Sequence, residues 1–157
     1  MERFTGTVEL LGAADPSAVI AWISAIPFED WPQQTRLEDG RIRPAMVNDP
    51  EWHGFGRVVA PVVAEARSGL AGTVSNVLLT VVMPGHNIPT HTDQQPPHWV
   101  TRVHIPLTTN EESRFIVGAE HHHMEIGSAY LVNTEVEHSV ANDGATPRIH
   151  LMFDFLA

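Results

Sequence analysis

The chain has 157 residues, 43% of them hydrophobic and 18% charged, which is the balance of one ordinary folded domain rather than a disordered segment or two comfortable domains. A net charge of −10 with only nine Lys and Arg argues against a phosphate-backbone partner, so no nucleic acid is expected. The lack of cysteine excludes disulfides, thiolate metal sites and a cysteine nucleophile, and fits a reducing, cytoplasmic setting; no apolar run approaches a membrane span.

In chain order, "RFTGTVELL" reads as an opening strand. "DPSAVIAWISAI" then starts a helix, with Asp15 as N-cap, Pro16 at the first helical position, and Val19, Trp22, Ile23 and Ile26 on one apolar face. Residues 27–56 show no period and read as irregular loop with a short strand at "RIRPAMV". "APVVAEARSGLAG" predicts a second helix with Val59, Val62, Val63, Ala66 and Leu70 on one side and Gly72 beyond its end. From Ser75 the pattern turns to strands: "NVLLTVVM", "HWVTRVHIPL", "RFIVGA", "AYLVN", "HSVAN" and "RIHLMFDFL", separated by turn signals such as Pro84-Gly85 and Asn142-Asp143-Gly144. The expected architecture is mostly β (α+β): a sandwich or jelly roll with the N-terminal helices packed outside it.

Chemistry concentrates in "PTHTDQQPPHWVTRVHIPL", residues 89–107. His91 and Asp93 stand two apart, so in extended chain their side chains share a face, a spacing that suits a metal. A third ligand must come from elsewhere, and His138, at the start of a strand, is the natural candidate. Two histidines and one carboxylate leave coordination positions open, the arrangement used by non-haem Fe(II) oxygenases. Arg148 is an isolated cation in an otherwise apolar strand. A buried guanidinium needs an anion, supplied either by a dicarboxylate cosubstrate or by an internal carboxylate such as Asp154 or Glu125.

Together "LLTVVMPGHNIPTHTD", "RVHIPL", "EIGSAYLVNTEVEHSVANDG" and "PRIHLMFDF" resemble the aspartyl/asparaginyl β-hydroxylase family of Fe(II)- and 2-oxoglutarate-dependent oxygenases. The resemblance covers about Val77 to Phe155 and gives out in the N-terminal half. It implies a double-stranded β-helix, cupin-like in form, with the motif-bearing core at about 75–156 of a single 1–157 oxygenase domain. It implies His91, Asp93 and His138 as iron ligands, and Arg148 with the Thr80 hydroxyl at the distal carboxylate of 2-oxoglutarate. It further places His104 beside the cosubstrate and Arg102 against an anionic substrate group. The implied cofactors are Fe(II), 2-oxoglutarate and O2, with succinate and CO2 released as an unactivated carbon of an amino acid, peptide or small acidic natural-product intermediate is hydroxylated. The alternative is a cupin-like metal-binding module, a non-oxidative enzyme or sensor, that takes no 2-oxoglutarate and needs neither Arg148 nor Thr80.

Other polar residues have less specific readings. "EHHHME", residues 120–125, reads as a hairpin or exposed strand, because adjacent histidines alternate faces and do not converge. His86 and His98 read as rim or surface histidines, and His150 as either a pocket lining or a packed core ring. Trp31, Trp52, His53, Arg41 and Arg43 either cover the pocket or pack against their own domain.

Overall fold

A computed structural model of the chain describes residues 1–33, 35–36, 38, 42–43 and 45–157. The elements in order are β1 (Val8–Ala13), α1 (Ser17–Ser24), β2 (Thr35–Arg36), β3 (Ile42–Arg43), β4 (Ala45–Val47), α2 (Phe55–Ala66), β5 (Thr73–Val82), β6 (Asn87–His91), β7 (Trp99–Thr108), β8 (Ser113–Val117), β9 (Glu120–His122), β10 (Ser128–Val132), β11 (His138–Asn142) and β12 (Arg148–Leu156). Every strand expected from Ser75 onward is present, and β6 and β9 are added to them. None of the described helices is long and apolar enough to cross a membrane.

Six strands form one antiparallel sheet in the order β1-β10-β7-β12-β5-β4, and four form a second in the order β6-β11-β8-β9. β2 and β3 pair with each other in a separate two-stranded sheet. The larger two are the sheets of a double-stranded β-helix, the jelly roll expected from the sequence.

Alternation along the central strand sorts the side chains into two interiors. On β12, Ile149, Leu151, Phe153 and Phe155 point to one side, where they join Leu79 and Val81 of β5, Val103, Ile105 and Leu107 of β7, Val19 and Ile23 of α1, and Phe55, Val59, Val62, Val63 and Ala66 of α2. This helix-covered core carries most of the apolar burial, the dominant favourable contribution to folding. On the other side, between the two sheets, Val82, Val132, Phe115, Val117, Met124 and Val140 form a smaller cluster. That interior also receives buried polar groups: Thr80, His104, His138, Arg148, His150 and Asp154 are all at most 5% exposed. The helices therefore support the sheet from behind and leave its inner face to chemistry.

The two helices differ from expectation at their ends. α1 starts at Ser17, so Pro16 takes the cap position expected for Asp15; Asp15 stands one residue before it and accepts a hydrogen bond from the Ser17 backbone N–H at 3.0 Å. α2 starts at Phe55, five residues before the expected Ala60, so Pro61 stands inside the helix rather than in its first turn. Burial of Phe55 in the helix-side core favours the early start. Within the expected strand over 41–47, residues 42–43 and 45–47 are extended, and residues 41 and 44 lie outside the described residues.

Candidate metal centre

His91 is the last residue of β6, and the antiparallel register sets it directly opposite His138 at the start of β11. Directly opposed residues share a face, and the two imidazole centroids lie 4.3 Å apart. Asp93 follows His91 by two residues, and its backbone N–H donates to the Thr134 carbonyl at 2.9 Å, which ties this segment to the β10–β11 connection. His91 Nε2 lies 3.6 Å from Asp93 Oδ1 and His138 Nε2 lies 3.8 Å from Asp93 Oδ2. Among the described residues, these three form the one group of His, Asp or Glu donors that converge, with donor atoms all within 4.8 Å of one another.

The hydrogen bonds around the rings settle their tautomers. His91 Nδ1–H donates to the Pro89 carbonyl at 2.9 Å and His138 Nδ1–H donates to the Val136 carbonyl at 2.8 Å. A carbonyl only accepts, so both rings carry their proton on Nδ1, and neutral rings turn a bare Nε2 lone pair toward the cluster. Burial lowers the His138 pKa; the Val136 carbonyl works in the opposite direction, and His91 lowers it further. A ring held neutral is a lone-pair donor, not the cation of an ion pair. Two oriented imidazoles and one carboxylate are a donor set that fits a first-row divalent ion.

Deeper between the sheets lies a second group. Arg148 is 3% exposed, and among the described residues no carboxylate is within ion-pair distance of it. Its Nη2 donates to His150 Nδ1 at 3.1 Å, and its guanidinium carbon stands 5.9 Å from the centre of the Phe115 ring. Burial alone pushes its pKa down to about 9. His104 Nδ1 lies 3.3 Å from His150 Nδ1, while His104 Nε2 is buried without a hydrogen-bond partner among the described residues. Thr80 stands directly opposite His150 across the β5–β12 pair. Phe115 connects the two groups, packed between Arg148, His104 and His138.

This polar interior has a consequence for stability. Burial, followed by the Arg148 charge, holds the pKa of both His104 and His150 well below the ordinary histidine value. Both rings are therefore neutral in the folded chain, whereas the unfolded chain takes up protons below about pH 6.5, so stability is lost as pH falls through that value. For each ring the loss amounts to about 1.4 kcal/mol over the whole interval from pH 7.5 to 5.5, so about 3 kcal/mol for the two. Urea midpoints at the two pH values would measure it, and an unchanged midpoint would mean that the rings protonate within the fold.

The remaining residues singled out in the sequence lie apart from the cluster. His86 and His98 are exposed. β9 is an edge strand in which His122 faces Glu120 at 3.2 Å, and His123, beyond its end, faces Glu125 at 3.6 Å. His122 does reach the narrow void lined by Arg148, His150, Ser113 and Thr109. Trp31 and Trp52 pack edge to face, with Trp52 against Trp22 in turn, on the helix-side core. His53 joins this group, 3.4 Å from Asp30. Arg41 and the Arg43 side chain lie outside the described residues. Sequence reasoning missed Asn76 and Trp99, and it offered Asp154 to Arg148 where the structure pairs it with Arg102, because these contacts depend on strand register rather than on spacing.

A double-stranded β-helix with two histidines and one carboxylate converging inside it is the arrangement of non-haem oxygenases. Residues 58–157 match the Aspartyl/Asparaginyl beta-hydroxylase family, and the chain belongs to that family of hydroxylases. No curated protein matches the sequence. Among solved structures it is similar to AviO1 from Streptomyces viridochromogenes Tue57, with a TM-score of 0.64, 14% identity, and 96% of this chain and 90% of that one covered. It is similar also to the prolyl-4-hydroxylase of Pseudomonas putida, with a TM-score of 0.60, 12% identity, and coverage of 96% and 91%. A third is the viral collagen prolyl hydroxylase of Paramecium Bursaria Chlorella virus-1, solved as a 2OG complex, with a TM-score of 0.59, 12% identity, and coverage of 98% and 97%. At these identities the likeness is one of fold.

Proposed function

We propose that the whole chain works as one Fe(II)- and 2-oxoglutarate-dependent dioxygenase domain that hydroxylates an unactivated carbon of an amino acid, peptide or small acidic natural-product intermediate. The observation that carries this reading is Arg148: a buried guanidinium with no carboxylate near it among the described residues, on the sheet that faces the convergent donors and joined to them through Phe115. Leaving such a charge buried and unpaired is costly, and an internal salt bridge would have removed the cost if packing alone were required. His104, with a buried Nε2 that lacks a partner among the described residues, adds a second unmet polar group between the sheets.

In this reading His91, Asp93 and His138 hold Fe(II), Arg148 and the Thr80 hydroxyl take the distal carboxylate of 2-oxoglutarate, and His104 lies beside the cosubstrate. Bound there, Fe(II) with 2-oxoglutarate and O2 would supply the oxidising power for hydroxylation, with succinate and CO2 as coproducts. The chain itself orients the donors through the Pro89 and Val136 carbonyls, offers a planar cation to a carboxylate, and keeps water from the interior with Phe115, Val117, Val132 and Val140. The cysteine-free composition supports a cytoplasmic setting.

Anaerobic addition of 2-oxoglutarate to the Fe(II)-loaded protein tests the reading. A weak visible absorption band from cosubstrate chelation is expected. Protein that binds Fe(II) but gives no band would be a cupin-like metal module instead.

A further inference from the structure

Arg102 departs from what the family resemblance implies. Its side chain is 15% exposed, and three of its nitrogens are engaged. Nη1 donates to Asp93 Oδ2 at 2.7 Å, Nε donates to Asp154 Oδ1 at 2.9 Å, and Nη2 donates to Asp154 Oδ2 at 3.0 Å. The side chain of Asp154 is 5% exposed and accepts two more hydrogen bonds, from Asn76 Nδ2 at 2.8 Å and Trp99 Nε1 at 3.1 Å. The β7–β12 register accounts for the pair, because Asp154 stands directly opposite Arg102. Burial opposes the guanidinium charge, yet the carboxylates of Asp154 and Asp93 outweigh it and hold the Arg102 pKa above the ordinary arginine value.

The bidentate edge of this guanidinium is thus filled by Asp154 and its outer nitrogen by Asp93, so a substrate carboxylate would have to displace one of them. Asp93, only half-buried and two residues past the end of β6, has no other side-chain anchor of comparable geometry among the described residues. Resting on the reading of His91, Asp93 and His138 as metal ligands, we infer that Asp154 acts through Arg102 to position Asp93, holding its Oδ2 so that Oδ1 is the atom offered to the metal. Arg102 is then a positioning residue, in place of the substrate-anion role implied by the resemblance alone. Asp154 is the fixed end of the relay, since four N–H donors from three residues on two strands, β5 and β7, hold its two oxygens.

Co(II) titration with a visible spectrum is the test, because affinity and band shape report the ligand geometry without turnover. Asp154→Asn, which keeps the shape but loses the charge, is expected to weaken Co(II) binding by about 10- to 100-fold and to alter the spectrum. Val81→Ala, which loosens the helix-side core and leaves the inner face untouched, is expected to keep both, so that loss of stability alone does not imitate the effect. If Asp154→Asn does not fold, the double variant Arg102→Met/Asp154→Leu leaves neither buried charge unpaired, and the same loss is expected. Wild-type affinity and spectrum in whichever variant folds overturns the inference. His138→Ala run alongside separates the two levels: loss there with none at Asp154 sinks the positioning relay alone, and no loss in either sinks the ligand set.

Discussion

Replacing His138 with alanine is expected to weaken Fe(II) binding by more than about 100-fold, because loss of a direct ligand should exceed the 10- to 100-fold that outer-shell partners typically cost. His138 is 5% exposed, its Nδ1 is committed to the Val136 carbonyl, and its Nε2 is the donor that β11 brings to a pair otherwise made by His91 and Asp93 alone. The other two sit on β6 and just past it, so without His138 the site loses its attachment to the second strand and becomes a two-ligand site on one edge of the sheet. Turnover should vanish with the metal. Anaerobic calorimetry of Fe(II) or Co(II) binding measures the effect, and an affinity within a few-fold of wild type would remove His138 from the ligand set.

Arg148→Ala is expected to cost 2-oxoglutarate about 2 to 5 kcal/mol of binding free energy, roughly 30-fold to several thousand-fold in affinity, while leaving metal binding intact. The guanidinium would otherwise meet the distal carboxylate in a desolvated interior, and its removal leaves that anion unpaired. Lysine should rescue only in part, since it offers a point charge where a planar fork is required. The pH dependence has a definite sign. Burial puts the Arg148 pKa at about 9 in the free protein, and a bound anion favours the charged form and raises it. Affinity for 2-oxoglutarate is therefore full below about pH 9 and falls about tenfold per unit as pH rises beyond it, until the pKa of the bound state is reached. The rise in melting temperature produced by 2-oxoglutarate should shrink between pH 8 and pH 10 in the wild type. A flat profile, or an alanine variant that keeps its affinity, would separate Arg148 from the cosubstrate.

Much of the chemistry was legible because it depends on spacing that survives folding. His91 and Asp93 lie two apart, and extended chain has a period of two, so their common face follows from local geometry. His138 could be named as a third donor because it opens a strand. The helices and the strand-rich half were readable for the same reason, since the positions of Val19 and Ile23, or of Ile149, Leu151 and Phe153, repeat at the period of their own element. The start of α2 was not, because Pro61 looks locally like a first-turn residue and only the burial of Phe55 against the sheet outweighs that preference.

What the tertiary structure decided is which charges meet. The sequence offered Asp154 as a partner for Arg148, three two-residue steps along a strand that sends Arg148, His150 and Asp154 to one face. Register assigns the pairs differently: across β12, Asp154 faces Arg102 on β7 and Arg148 faces Val82 on β5. A strand places a residue on a face by its own periodicity, but its cross-strand partner depends on where a distant strand begins, and one residue of slip exchanges every contact. The spacing of the two donors His91 and Asp93 was therefore set by the sequence itself. The absence of a carboxylate beside Arg148 among the described residues, and the chain of hydrogen bonds from Asp154 through Arg102 to Asp93, arise only when strands far apart in the sequence are brought into register.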